Sequence, residues 1–421
     1  MKKQRRLGRG VSIVGGGMSK FGIFKNKDYK DLFAEAFIEM LGSIEKGFDP
    51  DDIDSIYLGN FSTDFFVHQG HLGPIIADLI GIIPKPATRI EGACASSALA
   101  FREGVMAIAS GMYDIVLVGG LEEMSKRTTE EVTEGLAMAS FPYEWKSGFT
   151  FPGLFATLAT AYFEKYGANP NHFLNVTIKS HNNAKLNPKA QYSLTIQDLM
   201  AQRIERAKKK GEPIPTWKGE KEFLNDPKVN PVIAWPLRLY DCSPISDGAS
   251  CLILVANEIA KDFTDTPIRI TGIGQGSGFG LHIKKDLTYF EATRQAAKEA
   301  YEMAGIGPGD VQFAEVHDCF SIAEIIHIED LGFFKQGEGY KAIEKGLTRL
   351  DGAMPINTSG GLKCKGHPVG ATGIAQIFEV WTQLREQAGD RQVAIKDLNI
   401  GAAHNLGGTG GTCTLTILER R

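Results

Sequence analysis

The chain has 421 residues, 43% hydrophobic and 23% charged, with a formal net charge of −4. That length allows two or three domains with sizeable cores, and the balanced charge gives no support for a nucleic-acid-binding surface. No apolar run reaches the roughly 20 residues of a membrane span, so a soluble, cytoplasmic protein is expected.

The N-terminus, "MKKQRRLGRG", is basic but runs straight into "VSIVGGG" without the apolar core of a signal peptide, and the C-terminal "LERR" carries no address. "VSIVGGGMSKFG" reads as a β-branched strand entering glycines, followed by an amphipathic helix in "YKDLFAEAFIEMLGSIEKG". The same pattern returns in "IRITGIGQGSGFG" and "YFEATRQAAKEAYEMAG". Pro50, Asp52 and Ile53 are matched by Pro308, Asp310 and Val311 at a constant offset of 258 residues. Later in each half a turn of small residues opens a helix, first in "GACASSALAFREGVMAIASG" and then in "GHPVGATGIAQIFEVWTQLREQ". Strands alternating with helices predict an α/β class of layered halves with mixed sheets. The repeat predicts two similar halves packed together. Residues 1–124 with 240–262 form the N-terminal half and 263–421 the C-terminal half. Between them, 125–239 breaks the rhythm and reads as an inserted loop domain over a site.

Cys94 stands among small residues at the start of a helix. A thiol there faces unpaired N–H groups and the positive end of the helix dipole, which favour thiolate. A buried cysteine also packs as a small hydrophobe, and Cys242, Cys251, Cys364 and Cys413 are read that way. The six cysteines lack paired metal-ligand spacing, so no metal site is expected. His317 and Cys319 follow the short strand "VQFAEV", and His367 sits between a glycine loop and a helix start. In α/β folds the ligand crevice lies at the carboxyl ends of strands, so this set predicts one pocket built from both halves.

The chain resembles the thiolases over essentially its full length. "GACASS" resembles their nucleophile segment, and "SHNNAKLNP" and "PISDGAS" their segments around the loop domain. "GGLKCKGHPVGATG" resembles their GHP motif. "HDCF", His317 to Phe320, resembles the sterol-carrier-protein type and its archaeal and bacterial relatives. Most thiolases carry a second reactive cysteine in a glycine turn; here Asn405 stands at that place in "HNLGGTGG", and the resemblance gives its role to Cys319.

The resemblance implies thiolytic cleavage, or reverse Claisen condensation, of a 3-oxoacyl-CoA. Coenzyme A is then a co-substrate, and no cofactor is permanently bound. Cys94 is the implied nucleophile, His367 its base, Cys319 the acid/base for the enolate and His317 a donor to the enolate oxygen. The backbone N–H groups of Cys94 and Gly407 are the implied second oxyanion site. A homodimer or larger assembly is implied, together with a small OB-fold, zinc-ribbon partner protein. Phe141, Tyr143, Trp145, Phe149, Phe151 and Phe155 crowd one short stretch, which suggests a bulky or aromatic acyl group of the benzoylsuccinyl-CoA type. Acetoacetyl-CoA is the alternative substrate. A ketoacyl synthase is the rival within the fold, and a non-catalytic CoA-ester-binding scaffold subunit the rival from another class.

Overall fold

The computed structural model describes residues 6–420. The expectations about signals at residues 1–5 and Arg421 lie outside the described residues.

Eleven strands are described: β1 (Val11–Met18), β2 (Ser55–Gly59), β3 (Ala87–Ile90), β4 (Ile115–Glu122), β5 (Val232–Ala234), β6 (Leu237–Arg238), β7 (Gly248–Ala256), β8 (Ile268–Ser277), β9 (Phe313–Glu315), β10 (Ile400–Gly407) and β11 (Thr412–Glu419). Nine of them form one mixed sheet in the order β3-β2-β4-β7-β1-β8-β11-β10-β9, and β5 and β6 form a separate hairpin. The order is nearly a mirror about its middle. β1 pairs with β7, as β8 pairs with β11, both antiparallel; β4 runs parallel to β2, as β10 runs parallel to β9. The halves join where Val11 to Ile13 face Ile268 to Ile270 across an antiparallel seam.

The repeated motif has a packing cause. The helix Tyr29–Gly42 is set by Asp28, whose carboxylate accepts the N–H groups of Lys30 and Asp31 in a capping box. It lies against β1, and its counterpart Glu291–Ala304 lies against β8. Both approaches are too close for a side chain. A Cβ on Gly17 would sit 2.2 Å from the Ala36 carbonyl oxygen, and one on Gly274 would sit 1.9 Å from that of Ala296. The glycines of the two motifs are therefore seats for helices.

On the other face lie Ser96–Ala109 and Thr372–Leu384, packed against each other and against strands of the sheet. Every residue of Thr372–Leu384 is buried. Ile374, Ile377, Val380 and Leu384 are almost wholly inaccessible, each stabilising by about 1.5–3 kcal/mol as an upper bound. The starts of these two helices are tied directly, with the Ile374 N–H donating to Ser97 Oγ at 3.1 Å. This junction places a residue of the N-terminal half beside one of the C-terminal half. Residues 125–239 supply three long helices, Phe151–Tyr166, Pro170–Lys185 and Ile196–Lys210, and the β5–β6 hairpin.

Among the described residues no helix is long and apolar enough to cross a membrane, and all six cysteines are free thiols.

Candidate active site

Cys94 sits in a single tight turn, Ala93–Ala95, that leads into the helix Ser96–Ala109. Its neighbour Ala93 holds a left-handed backbone, φ 53°, costly for a residue with a Cβ. The Glu91 carboxylate accepts the Ala93 N–H at 2.6 Å, and Ser96 Oγ both accepts the Gly92 N–H and donates to the Ala93 carbonyl. The turn is thus held from both sides.

His367 leads into Thr372–Leu384, and His317 follows β9. The Cys94 sulfur and one ring nitrogen from each histidine all lie within 4.8 Å of one another. The two imidazoles meet edge to face, with centroids 5.1 Å apart. Cys319 is buried two residues beyond His317. Cys94, His317 and His367 are therefore brought together from both halves, and Cys319 lies near enough to interact electrostatically with Cys94.

The neighbours of each histidine decide which nitrogen carries its proton. Thr372 Oγ1 donates to the Pro368 carbonyl at 2.8 Å and lies 2.7 Å from His367 Nδ1. Its single proton is used, so it accepts from Nδ1–H, and Nε2 keeps a lone pair. His317 is the reverse. Gln376 Nε2 donates to the His404 carbonyl, so its oxygen faces Asn405 and accepts from Asn405 Nδ2 at 2.9 Å. The same Nδ2 lies 2.9 Å from His317 Nδ1, which must accept, so Nε2 carries the proton. That Nε2–H is buried without a partner in the protein. One histidine is poised to take a proton and the other to give a hydrogen bond.

Burial sets the electrostatics. It pushes the Cys94 thiol up to about 12, against the opposing N–H groups of Gly408 and of Cys94 itself. The expected resting thiolate is thereby corrected: at this turn desolvation outweighs the backbone donors. Burial also lowers His367 to about 3, aided by Lys365, and holds His317 well below its usual value. Burial, with the charges of Cys94 and Asp318 adding, raises Cys319 well above the ordinary thiol range. The resting site is a neutral thiol beside a neutral imidazole. Three possible ligand atoms lie close together, but the resting site carries a proton on the thiol and one at His317 Nε2, which a cation would have to displace.

Of the two backbone N–H groups that favour the Cys94 thiolate, one is that of Cys94 itself and the other that of Gly408, one residue beyond the expected Gly407. Gly407 itself lies over the Gly92 carbonyl, where a Cβ would come within 2.3 Å. Cys242 is half-buried beside a cavity near the site, while Cys251, Cys364 and Cys413 are buried.

Sequence reasoning did not find Thr372, Gln376 or Glu122. The buried Glu122 carboxylate accepts from Asn60 Nδ2 and from the N–H groups of Phe61, Ser62 and Gly370. It thereby clamps the loop after His367 onto the loop after β2, and burial raises it to about 7. The available signal was an acid closing the otherwise apolar strand "IVLVGGLE".

The clustered aromatics do not form a common wall. Phe141, Tyr143 and Phe149 are exposed, and Phe155 is fully buried. Phe155 stacks on Phe320 with centroids 4.6 Å apart. The buried apolar cluster that Cys94 packs against is instead Phe66, Met124, Val132 and Val369.

A cavity of about 370 Å³ is lined by His181, Tyr192, Tyr240, Cys242, Ser243 and Lys363. It borders the site, since the Ser243 N–H donates to the Cys319 carbonyl at 2.9 Å. A larger cavity of about 1030 Å³ shares Leu199 and Tyr240 with it and is lined by Arg203, Arg206, Lys210 and Trp217 of the loop domain.

Residues 11–258 match the family model "Thiolase, N-terminal domain", and residues 277–420 match "Thiolase C-terminal domain-like". An "Acetyl-CoA acetyltransferase" of Methanothermobacter thermautotrophicus is 42% identical, covering 98% of this chain and 100% of its own length. The "Benzoylsuccinyl-CoA thiolase subunit BbsB" of Thauera aromatica is 29% identical, covering 92% of each chain. A solved "Ltp2-ChsH2(DUF35) aldolase" superposes with a TM-score of 0.76 at 24% identity, covering 98% of each chain. The chain is an acyltransferase enzyme that uses coenzyme A as substrate, and it belongs to the thiolase family.

Proposed function

We propose that this enzyme cleaves and forms acetoacetyl-CoA through an acyl group carried on Cys94. The observation that carries the reading is one thiol within 4.8 Å of a ring nitrogen of each of two buried histidines, whose neighbours call for opposite tautomers. In the cleavage direction His367 Nε2 takes the Cys94 proton as sulfur attacks the 3-keto carbon. The new alkoxide is held by the N–H of Cys94 and those of the Gly407–Gly408 turn. Collapse breaks the C2–C3 bond and leaves the electron pair as an enolate of acetyl-CoA. Its oxygen accepts from His317 Nε2–H and from His367, now protonated. Cys319 gives its proton to C2, releasing acetyl-CoA. The Cys319 thiolate then takes the proton of a second coenzyme A, whose sulfur displaces the acetyl group, and Cys94 recovers its proton from His367. Removing one such oxyanion donor typically costs about a hundred- to a thousand-fold in rate.

The short acyl group is favoured by the buried apolar cluster with Phe66 that Cys94 packs against and by the 42% identity with an acetyl-CoA acetyltransferase. A bulky or aromatic acyl group is the second reading, supported by the more distant likeness to the benzoylsuccinyl-CoA thiolase subunit. The ratio of kcat/KM for acetoacetyl-CoA to that for a phenyl-bearing 3-oxoacyl-CoA tests the choice. A ratio well above one is expected, and a clear preference for the phenyl substrate would overturn the short-chain reading while leaving the chemistry intact.

Coenzyme A is proposed to lie along the two joined cavities, its phosphates near Arg203, Arg206 and Lys210. A cytoplasmic location is consistent with six free thiols. Dimerisation through the N-terminal half is supported by β3, a strand at the sheet edge with one side unpaired. A small partner protein is proposed because the solved relative's description includes DUF35. Isolation of a fully active monomer without other chains would refute both assembly proposals.

A further inference from the structure

We propose that Asn405, locked by Gln376, is a positioning residue that sets His317 as a hydrogen-bond donor to the enolate oxygen rather than a base. The proposal rests on the thiolase reading above and adds a device that selects the proton position on one of its two histidines.

The polarity of the network starts from an atom that cannot change role. The His404 carbonyl only accepts, and Gln376 Nε2 reaches it at 2.9 Å. That fixes which end of the Gln376 amide faces Asn405. The bond of 2.9 Å from Asn405 Nδ2 to Gln376 Oε1 then fixes the Asn405 amide, because a flip would set two oxygens against each other. The second proton on Nδ2 points to His317 Nδ1, also at 2.9 Å. The backbone of His317 is tied to the same unit, its N–H lying 3.5 Å from His404 Nδ1. Three facts show that the arrangement is held rather than incidental. Asn405, Gln376, His404 and His317 are all buried. Asn405 Oδ1 has no partner in the protein, so the amide gives up a hydrogen bond to hold this orientation. His317 Nε2, at the far end of the ring, is buried and unpartnered, and a ring nitrogen of His317 lies within 4.8 Å of the Cys94 sulfur.

Gln376 lies on the helix that His367 leads into, and Asn405 lies on β10. The helix that carries the base for Cys94 therefore also anchors the amide that prevents His317 from becoming a second base. Without this lock Asn405 can turn its oxygen to Nδ1, which moves the proton off Nε2 and presents a lone pair to the enolate oxygen.

The test separates the two half-reactions in the full-length enzyme. Acetylation of Cys94 by acetyl-CoA uses Cys94 and His367, with Cys319 returning a proton to the departing coenzyme A, and forms no enolate, so it does not draw on His317 Nε2–H. Exchange of the acetyl-CoA methyl protons with deuterium in the solvent uses Cys319 and His317. In Gln376→Leu and Asn405→Leu, exchange is expected to fall by about tenfold or more, the range of a lost buried hydrogen bond, while acetylation changes by less than about threefold. Nitrogen-15 NMR of histidine-labelled wild type is expected to show, among its rings protonated at Nε2 with Nδ1 bare, a signal that is missing in His317→Ala and altered in Gln376→Leu. Unchanged exchange overturns the proposal. So does a parallel loss of acetylation and exchange, which marks a merely structural role, and so does a His317 ring protonated at Nδ1. A wild-type enzyme that neither acetylates nor exchanges refutes the thiolase reading instead, while the NMR result still decides the tautomer.

Discussion

Thr372→Val removes one oxygen atom and nearly preserves shape, so it isolates the bond that makes His367 a base. In the wild type Thr372 Oγ1 accepts from His367 Nδ1–H at 2.7 Å in a buried setting. Without that acceptor the buried N–H loses about 1–3 kcal/mol, and the tautomer with a bare Nε2 loses its advantage. The imidazolium formed as Cys94 attacks also loses a bond to a charged donor, of about 1.5–3 kcal/mol. At 1.4 kcal/mol per factor of ten, acetylation of Cys94 should slow by about 10- to 150-fold. Thr372→Ser keeps the oxygen and should stay within about threefold of wild type. Rapid quenching against acetyl-CoA, followed by mass spectrometry of the peptide bearing Cys94, gives the rate. Melting temperature shows whether the fold survives. Acetylation by a folded Thr372→Val at close to the wild-type rate would refute the assignment of His367 as a base oriented by Thr372.

Three further outcomes follow from the same geometry. With Cys94 pushed up to about 12 and His367 down to about 3, alkylation of Cys94 by iodoacetamide should rise about tenfold per pH unit from pH 6 to 9, because the thiolate alone reacts. A plateau across that range would reveal a resting thiolate–imidazolium pair. Cys319→Ala should abolish deuterium exchange into acetyl-CoA and slow acetylation of Cys94, which also loses the proton returned to coenzyme A; undiminished exchange would move the second proton transfer to another group. Arg206→Ala should raise KM for coenzyme A severalfold with kcat nearly unchanged, as expected for uniform binding; an unchanged KM would place the phosphates elsewhere.

The residues proposed for the chemistry were legible in the sequence because each is chemically distinctive and sits at a junction of elements. Cys94 and His367 stand at helix starts, and His317 and Cys319 follow a strand. The residues that orient them were not. Thr372 and Gln376 look like ordinary helix positions until the fold brings Pro368, His404 and Asn405 against them. Asn405 was noticed only as a missing cysteine, and its amide gains meaning from three segments far apart in the chain. The thiol's protonation state was misjudged for a related reason. A helix start is visible in sequence, whereas the burial that overrides it is a property of both halves together. The crowded aromatics from Phe141 to Phe155 show the limit of composition: their spacing sends some to solvent and Phe155 into a stack under the site. The duplication was legible through its glycines and prolines, but the seam of β1 on β8 that merges two half-sheets into one was not.

The central claim, that Cys94 carries the acyl group, is tested most directly by mixing the intact enzyme with acetyl-CoA, stopping the reaction in acid and mapping the adduct by peptide mass spectrometry. An acetyl group is expected on the peptide bearing Cys94, absent from Cys94→Ala and released on adding coenzyme A. An adduct on another cysteine, or one that persists in Cys94→Ala, would contradict it.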